Sequence, residues 1–459
     1  MSFWRELRKS RRGLLLVAPT ALMLCFSAVA ENKVKLYGYL TARADGNAMM
    51  ILDDRLEVTA ASKISGAQEG GVKKMEPAEL APGQLVEVDG VWLDRHKFFA
   101  EKIVVDLRST EKEQHGSAYL QDEPADAGLT ALKADGYWLD LGANTKRDWD
   151  VAKCGAAVND AAGKSTSTLS GCHLKYTAVR ESNGRMAAQM VELGEPAPAD
   201  AYKLPHDLEV QRGADPQTGI AVLEIRRGKK VQGRIKLLAV KSVQDYVTEL
   251  GNSLLPVGGG STRPAIEFRF FVVEDPSINA ESLPDGTLLI HTGLLGAVEN
   301  EAQLAFVLSH EISHVLQVHY WREVRETRAQ RVSLIVAGVA AGALVGDVGV
   351  FMAGMGVASV VNGHQRELEN QADRLGLQNV IEHGYDAREA PKFSQLVIER
   401  YGDRSSSRIW SNHDSSLMRG SFLTVQLQRE YAADHFEGAV RNTKAFRAMK
   451  EDLGPVKIQ

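Results

Sequence analysis

In NEAQLAFVLSHEISHVLQVHY, residues 300–320, two histidines flank a glutamate as HEISH. On an α-helix, positions four apart share one face, about 40° apart around the axis. His310 and His314 can therefore offer two imidazoles to one metal ion, with Glu311 beside them. The chemistry this permits is hydrolysis. Zinc lowers the pKa of a coordinated water, and a neighbouring glutamate takes its proton as general base. Short motifs also arise by chance. Two histidines are moreover an incomplete site, because a catalytic zinc takes three protein ligands and keeps one position open.

The flanking residues favour a helix. Leu304, Val307, Leu308, Val315 and Leu316 supply an apolar face, and Asn300 with Gln303 predicts a capping box. The third ligand separates the enzyme classes. A metzincin would need glycine at 317 and histidine at 320, but the chain has Gln317 and Tyr320. His319 lies about 140° around a continuous helix from His314, so it is expected to face elsewhere. A second helix is predicted in QRELENQADRLGLQNVIEHGYD, from about 365 to a C-cap at Gly384. Its Glu369 and Asp373 share a face. Glu369 can complete a His2Glu zinc site, and Asp373 can accept a hydrogen bond from a ligand histidine and fix its tautomer. The competing reading is a solvated acidic helix face.

Elements must position these groups. A chain of 459 residues, 44% hydrophobic and 25% charged, suggests about two to four globular domains. The net charge of -5 gives no basic balance for nucleic acid. Residues 1–30 read as a signal peptide: the basic MSFWRELRKSRRG, the apolar LLLVAPTALMLCF, and a small-residue pattern ending at Ala30. Ser10-Arg11-Arg12 weakly resembles a twin-arginine signal. Cys25 hints at lipidation, but Leu24 is too large for an ordinary lipobox. In an oxidising compartment the remaining Cys154 and Cys172 read as one disulfide.

Residues 31–195 are expected to be all-β, from alternating runs such as VKLYGYLTA, LVEVDGVWL and KIVVDL. The region resembles itself: YGYL at 37–40 matches SAYL at 117–120, and FFAEKIVVDL at 98–107 matches RMAAQMVELG at 185–194. Two small OB-like barrels are predicted, 31–112 and 113–195, with one double-length β domain as the alternative. A docking or spacer role suits them. The Pro-rich GEPAPADAYKLPHD reads as a linker, and short strands complete 196–240. From 241 to 459 the pattern is mainly helical, with strands in IEFRFFVVED and DGTLLIHTG. The predicted fold class is thus multidomain: an N-terminal all-β part, then a mainly α (α+β) metallopeptidase domain. Residues 333–363, rich in Gly and Ala, are expected to form a hairpin of small-residue helices. A membrane contact or a lid over the cleft is the alternative.

INAESLPDGTLLIHTGLLGAVENEAQLAFVLSHEISHV, followed by ELENQADRLG, resembles the HtpX-type and CAAX-prenyl-endopeptidase family of gluzincin metallopeptidases, most of all its exported periplasmic, BepA- and LoiP-like branch. The likeness runs over 240–430. Asn279, Ala280, Pro284 and Gly286 occupy the family's Asn-Ala and Pro-x-Gly positions before the helix. The resemblance implies one zinc per chain, held by His310, His314 and Glu369, with Glu311 as base. It also implies a later His-Pro and Arg. SNHDSSLMR offers His413 and Arg419, but Asp414 replaces the proline. His413 would then stabilise the oxyanion or block the open position in a latent state; otherwise it is a loop histidine. The strand DGTLLIHTG would present an edge to extended substrate, and His291 on it reads as structural.

These readings predict a zinc endopeptidase of the bacterial cell envelope, periplasmic or exported, with membrane association as an open alternative. Its substrates would be misfolded or unassembled polypeptides. Envelope assembly machinery or a membrane surface would be further partners, and nucleic acid would not. The alternatives are a chaperone or assembly factor with little proteolysis, and a β-module binding protein with a vestigial peptidase half.

Overall fold

The structure, a computed structural model, describes residues 33–458 except 69–70, 122–129, 149–153, 155–156, 160–164, 168, 170, 183, 205–206, 257–265, 328–362, 403–414 and 433. The predicted signal peptide, nearly all of the Gly/Ala-rich stretch and His413 lie outside the described residues.

The N-terminal runs pair into two sheets of like connectivity. In the first, Leu85–Trp92 lies between Val34–Tyr39 and Lys97–Asp106, antiparallel to both. The hairpin strand Asp54–Glu57 joins Lys97–Asp106 in parallel. In the second, Cys172–Arg180 lies between Glu113–Tyr119 and Met186–Pro196. The hairpin strand Tyr137–Asp140 joins Met186–Pro196 in parallel. The internal likeness in sequence thus has a counterpart in strand order.

Neither sheet closes, so the expected barrels are open sheets. The reason lies in where the first strand of each sheet makes its contacts. The Tyr39 N–H donates to Ser421 Oγ at 2.9 Å. The Tyr119 N–H donates to Gln317 Oε1, and its carbonyl accepts from Gln317 Nε2, both at 2.8 Å. Backbone groups that closure would use are committed to the helical half instead. Ile398 and Leu417 from that half also enter the first sheet's core, beside Leu36, Ile51 and Phe98. Cys154 and Cys172 are joined as a disulfide in the second sheet's core.

The described helices are α1 (Lys241–Ser253), α2 (Thr292–Ala297), α3 (Glu301–Leu316), α4 (His319–Thr327), α5 (Gly363–Glu382), α6 (Glu389–Tyr401), α7 (Ser416–Glu430) and α8 (Lys444–Leu453). None of them is long and apolar enough to cross a membrane. α1 has apolar residues at helical spacing, and Val243, Val247 and Leu250 enter one core with Phe270, Leu304 and Leu308. Past the end of α5, Gly384 takes φ +76°, and the Tyr385 N–H bonds the Val380 carbonyl.

The segment 196–240 is less of a linker than its prolines suggest. Ala197 and Ala201 are buried against Val318. The strands Leu208–Ala214, Ala221–Arg227 and Lys230–Lys236 form a sheet of their own. Its Val210, Leu223 and Ile225 pack on Phe271, Val273 and Leu289. Those last three belong to a further sheet, in which Thr287–His291 is central between Arg269–Val273 and Ala280–Ser282.

Candidate metal centre

α3 carries the HEISH stretch through the core, buried over almost its whole length. Asn300 Oδ1 accepts from the Gln303 N–H at 3.1 Å, as a capping box predicts. The return bond differs: Gln303 Oε1 accepts from the Glu299 N–H, one residue earlier. α5 crosses close by because Gly376 faces the His310 backbone, where an added Cβ would lie 3.1 Å from the His310 nitrogen.

The crossing brings His310, His314 and Glu369 together. The two Nε2 atoms are 3.0 Å apart, and each is 3.5 Å from a Glu369 oxygen. Ligands about 2.0–2.1 Å from a tetrahedral zinc stand about 3.3 Å from one another, so the spacing fits. Charge fits as well. Glu311, Glu369 and Asp373 are buried together with one guanidinium, Arg419, and a divalent cation makes that cluster neutral. His310 is fully enclosed, whereas the His314 side chain keeps 15% exposure, so the site opens on that side.

Each of the two histidines has a partner at its Nδ1. His310 Nδ1 lies 2.9 Å from Asp373 Oδ1. Arg419 grips the same carboxylate, Nη2 to Oδ1 at 2.6 Å and Nε to Oδ2 at 3.2 Å. Burial pushes the Asp373 carboxyl up, but Arg419 and His310 outweigh it and hold it below the ordinary carboxylate range. An ionised carboxylate only accepts. His310 Nδ1, with Arg419 Nη2 also 3.1 Å away, can donate to that carboxylate, and the tautomer that does so keeps the Nε2 lone pair for a metal.

His319 departs from expectation. α3 stops at Leu316, Val318 takes φ +47°, and α4 starts at His319. The break swings His319 back, so that its Nδ1 is 2.9 Å from His314 Nδ1 and its Nε2 is 2.9 Å from Gln371 Oε1. The 140° argument fails because the helix is not continuous. Burial, with the charges of His314 and Arg322, pushes the His319 imidazole well below the ordinary histidine range, which keeps it neutral.

Glu311 Oε2 accepts from the Ser282 hydroxyl at 2.8 Å. Ser282 ends Ala280–Ser282, the strand at the edge of its sheet. The strand in DGTLLIHTG is the central one, so the edge expected there belongs to its neighbour. His291, on the central strand, is buried with Nδ1 2.7 Å from Ser277 Oγ. Sequence reasoning missed Ser282 and Gln371, and gave Arg419 no task. Gln371 carried no signal beyond its place two residues after Glu369.

Two histidines on one helix, a glutamate from a crossing helix and a carboxylate beside the first pair form a group that could hold a metal ion in the His2Glu manner. Residues 242–435 match Peptidase family M48, so this part of the chain is a peptidase M48 domain. A beta-barrel assembly-enhancing protease of Yersinia pestis is 31% identical over 163 residues, 34% of this chain and 32% of its own length. Its namesake from Escherichia coli is 27% identical over 233 residues, 48% of this chain and 46% of the relative. The mitochondrial metalloendopeptidase OMA1 of Schizosaccharomyces pombe is 29% identical over 176 residues, 38% of this chain and 50% of the relative. The chain thus spans a third to a half of the length of these relatives.

Proposed function

We propose that this chain is a zinc-dependent endopeptidase of the bacterial cell envelope that cleaves misfolded or unassembled proteins. The convergence of His310, His314 and Glu369, with Glu311 alongside, carries this reading. Those three residues would hold one zinc ion. When bound, zinc supplies a Lewis acid that polarises the scissile carbonyl and makes water a better nucleophile. Glu311 takes the proton of the attacking water and returns it to the departing amine, so the C–N bond breaks without net proton change. Ser282 holds the Glu311 carboxylate in place, and Asp373 holds His310.

The edge strand Ala280–Ser282 ends beside Glu311, which suits it to pair with an extended substrate. Backbone pairing reads extended conformation more than side chains, which fits unfolded polypeptide. His413 keeps its reading as an oxyanion donor or a latch. The relatives named for β-barrel assembly support an envelope setting. In that setting residues 1–30 direct the chain to the periplasm, and assembly machinery or a membrane surface is its partner. The domains of this reading are β regions at 31–112 and 113–195, a connecting segment at 196–240 and the peptidase at 241–459.

The test is casein degradation by zinc-loaded protein beside Glu311→Gln at matched zinc content. Cleavage by the wild type and none by the variant is expected. Equal cleavage by both refutes the site assignment. No cleavage by either, with zinc bound, favours a chaperone or a latent enzyme.

A further inference from the structure

The two ligand histidines are backed differently, and the difference reaches into the N-terminal half of the chain. His310 leans on the Asp373 carboxylate, whereas His314 leans on His319, which leans on Gln371. The Gln371 amide is held one way round. Arg322 Nη1 donates to its Oε1 at 2.6 Å. Its Nε2 donates to the Ser117 carbonyl at 2.8 Å and to Asp135 Oδ1 at 2.7 Å. Ser117 lies on Glu113–Tyr119, the edge strand of the second β sheet, and Asp135 in that sheet's Ala131–Asp140 hairpin. Asp135 is itself fixed, by Arg374 at 2.6 Å and the Tyr176 hydroxyl at 2.7 Å.

Following the protons shows which arrangement leaves His314 able to bind a metal. Gln371 Oε1 only accepts, so His319 Nε2 must carry a proton. The two Nδ1 atoms, 2.9 Å apart, have room for one proton between them, and metal binding at His314 Nε2 requires that His314 Nδ1 carry it and His319 Nδ1 accept. That leaves His314 Nε2 bare, the atom 3.0 Å from His310 Nε2 and 3.5 Å from Glu369. If the Gln371 amide is turned over, every proton reverses. His319 donates from Nδ1, and His314 is protonated on Nε2, where a proton blocks coordination. The same β strand also anchors the helix break, through Gln317 on the Tyr119 backbone and the packing of Val318 on Tyr119 and Ala201.

We infer that His319 is a positioning residue for His314, and that the second β sheet, through Ser117, Asp135 and Gln371, sets the His314 tautomer able to bind metal. This rests on the zinc-site reading above. It makes the sheet part of the metal centre as well as a candidate docking unit.

The test measures zinc affinity of the full chain by competition with a chromophoric chelator, for the wild type, His319→Leu, His319→Asn and Gln371→Met. NMR of the zinc-free wild type with 15N-labelled histidine reads which ring nitrogens carry protons. Circular dichroism checks the fold of each variant. Asparagine places an amide oxygen where Nδ1 accepts; leucine fills the space without an acceptor. His319→Leu and Gln371→Met are expected to bind zinc about 10–100-fold more weakly, His319→Asn to recover most of that loss, and His314 to be protonated on Nδ1. Wild-type affinity in His319→Leu, or an equal loss in the leucine and asparagine variants, overturns the inference. So does a zinc-free His314 protonated on Nε2. The double variant Asp135→Gly/Arg374→Met removes the hairpin's acceptor together with its buried counter-charge, at a position of φ +57° that glycine adopts freely. It is expected to weaken zinc binding too, and unchanged affinity there removes the β sheet from the inference. A wild type with the expected tautomer and affinity that cuts no casein leaves this inference standing and counts against an active peptidase alone, in favour of a chaperone or a latent enzyme.

Discussion

Replacing Asp373 by asparagine keeps the shape of the side chain and removes its charge. Three donors converge on the carboxylate: His310 Nδ1, Arg419 Nη2 and Arg419 Nε, at 2.9, 2.6 and 3.2 Å. Asparagine offers one acceptor oxygen, and its amino group must then face a donor. Arg419, itself buried, loses its nearest counter-charge. Breaking one partner of a buried pair costs about 3–5 kcal/mol. The bond that orients His310 weakens at the same time, which reduces metal affinity by about 10–100-fold, or about 1.4–2.8 kcal/mol. Urea unfolding of the zinc-free protein, followed by tryptophan fluorescence, reads the first effect without the added stability that bound zinc brings. Chelator competition reads the second. The double variant Asp373→Leu/Arg419→Met removes both charges and is expected to regain most of the stability but none of the affinity. An Asp373→Asn protein with wild-type midpoint and wild-type zinc affinity would refute the assignment of Asp373 as the group that orients His310.

Gly376→Ala pushes a methyl to 3.1 Å from the His310 nitrogen and spreads α3 from α5; on the proposed site, zinc affinity should fall in chelator competition. Its stability should change less, because alanine regains about 1 kcal/mol of helix propensity. Burial pushes the Asp386 carboxyl up, but the Arg388 side chain and N–H outweigh it and hold it below the ordinary range. A depressed carboxylate stabilises the fold above its unfolded pKa, about 3.9, and loses that contribution as pH falls through the folded value. The stability difference between wild type and Asp386→Asn should therefore be constant near neutrality and shrink at pH below about 4 in urea titrations. Reduction of Cys154–Cys172, which closes a loop of sequence separation 18, should lower stability by about 3 kcal/mol, measured by unfolding with and without dithiothreitol.

Much of the site was legible because its signals are local. HEISH and ELENQAD each place their groups at i, i+4 on one helix, and a helix fixes that geometry whatever surrounds it. Hydrophobic periodicity likewise marked α1, α3 and α5, and alternation marked the strands of 34–196. The near-repeat in the N-terminal half foretold two sheets of like connectivity. Whether they close was not written there. Closure depends on what lies against the first strand, and Gln317 and Ser421 are distant in sequence from the strands they bind. His319 shows the same limit within five residues. Spacing around an ideal helix placed it away from His314, but a turn at Val318, packed on Tyr119 and Ala201, ends that helix and returns the ring to the site. The sequence by itself determined which groups could hold and use a metal, because ligand type and helical spacing are properties of short segments. Only the tertiary structure decided what surrounds those groups: the crossing of α3 over α5 at Gly376, the edge strand at Glu311, and the bonds from the second β sheet to Gln371, which contacts His319 beside His314. Such contacts depend on through-space proximity between residues up to a few hundred positions apart, and no local pattern encodes them.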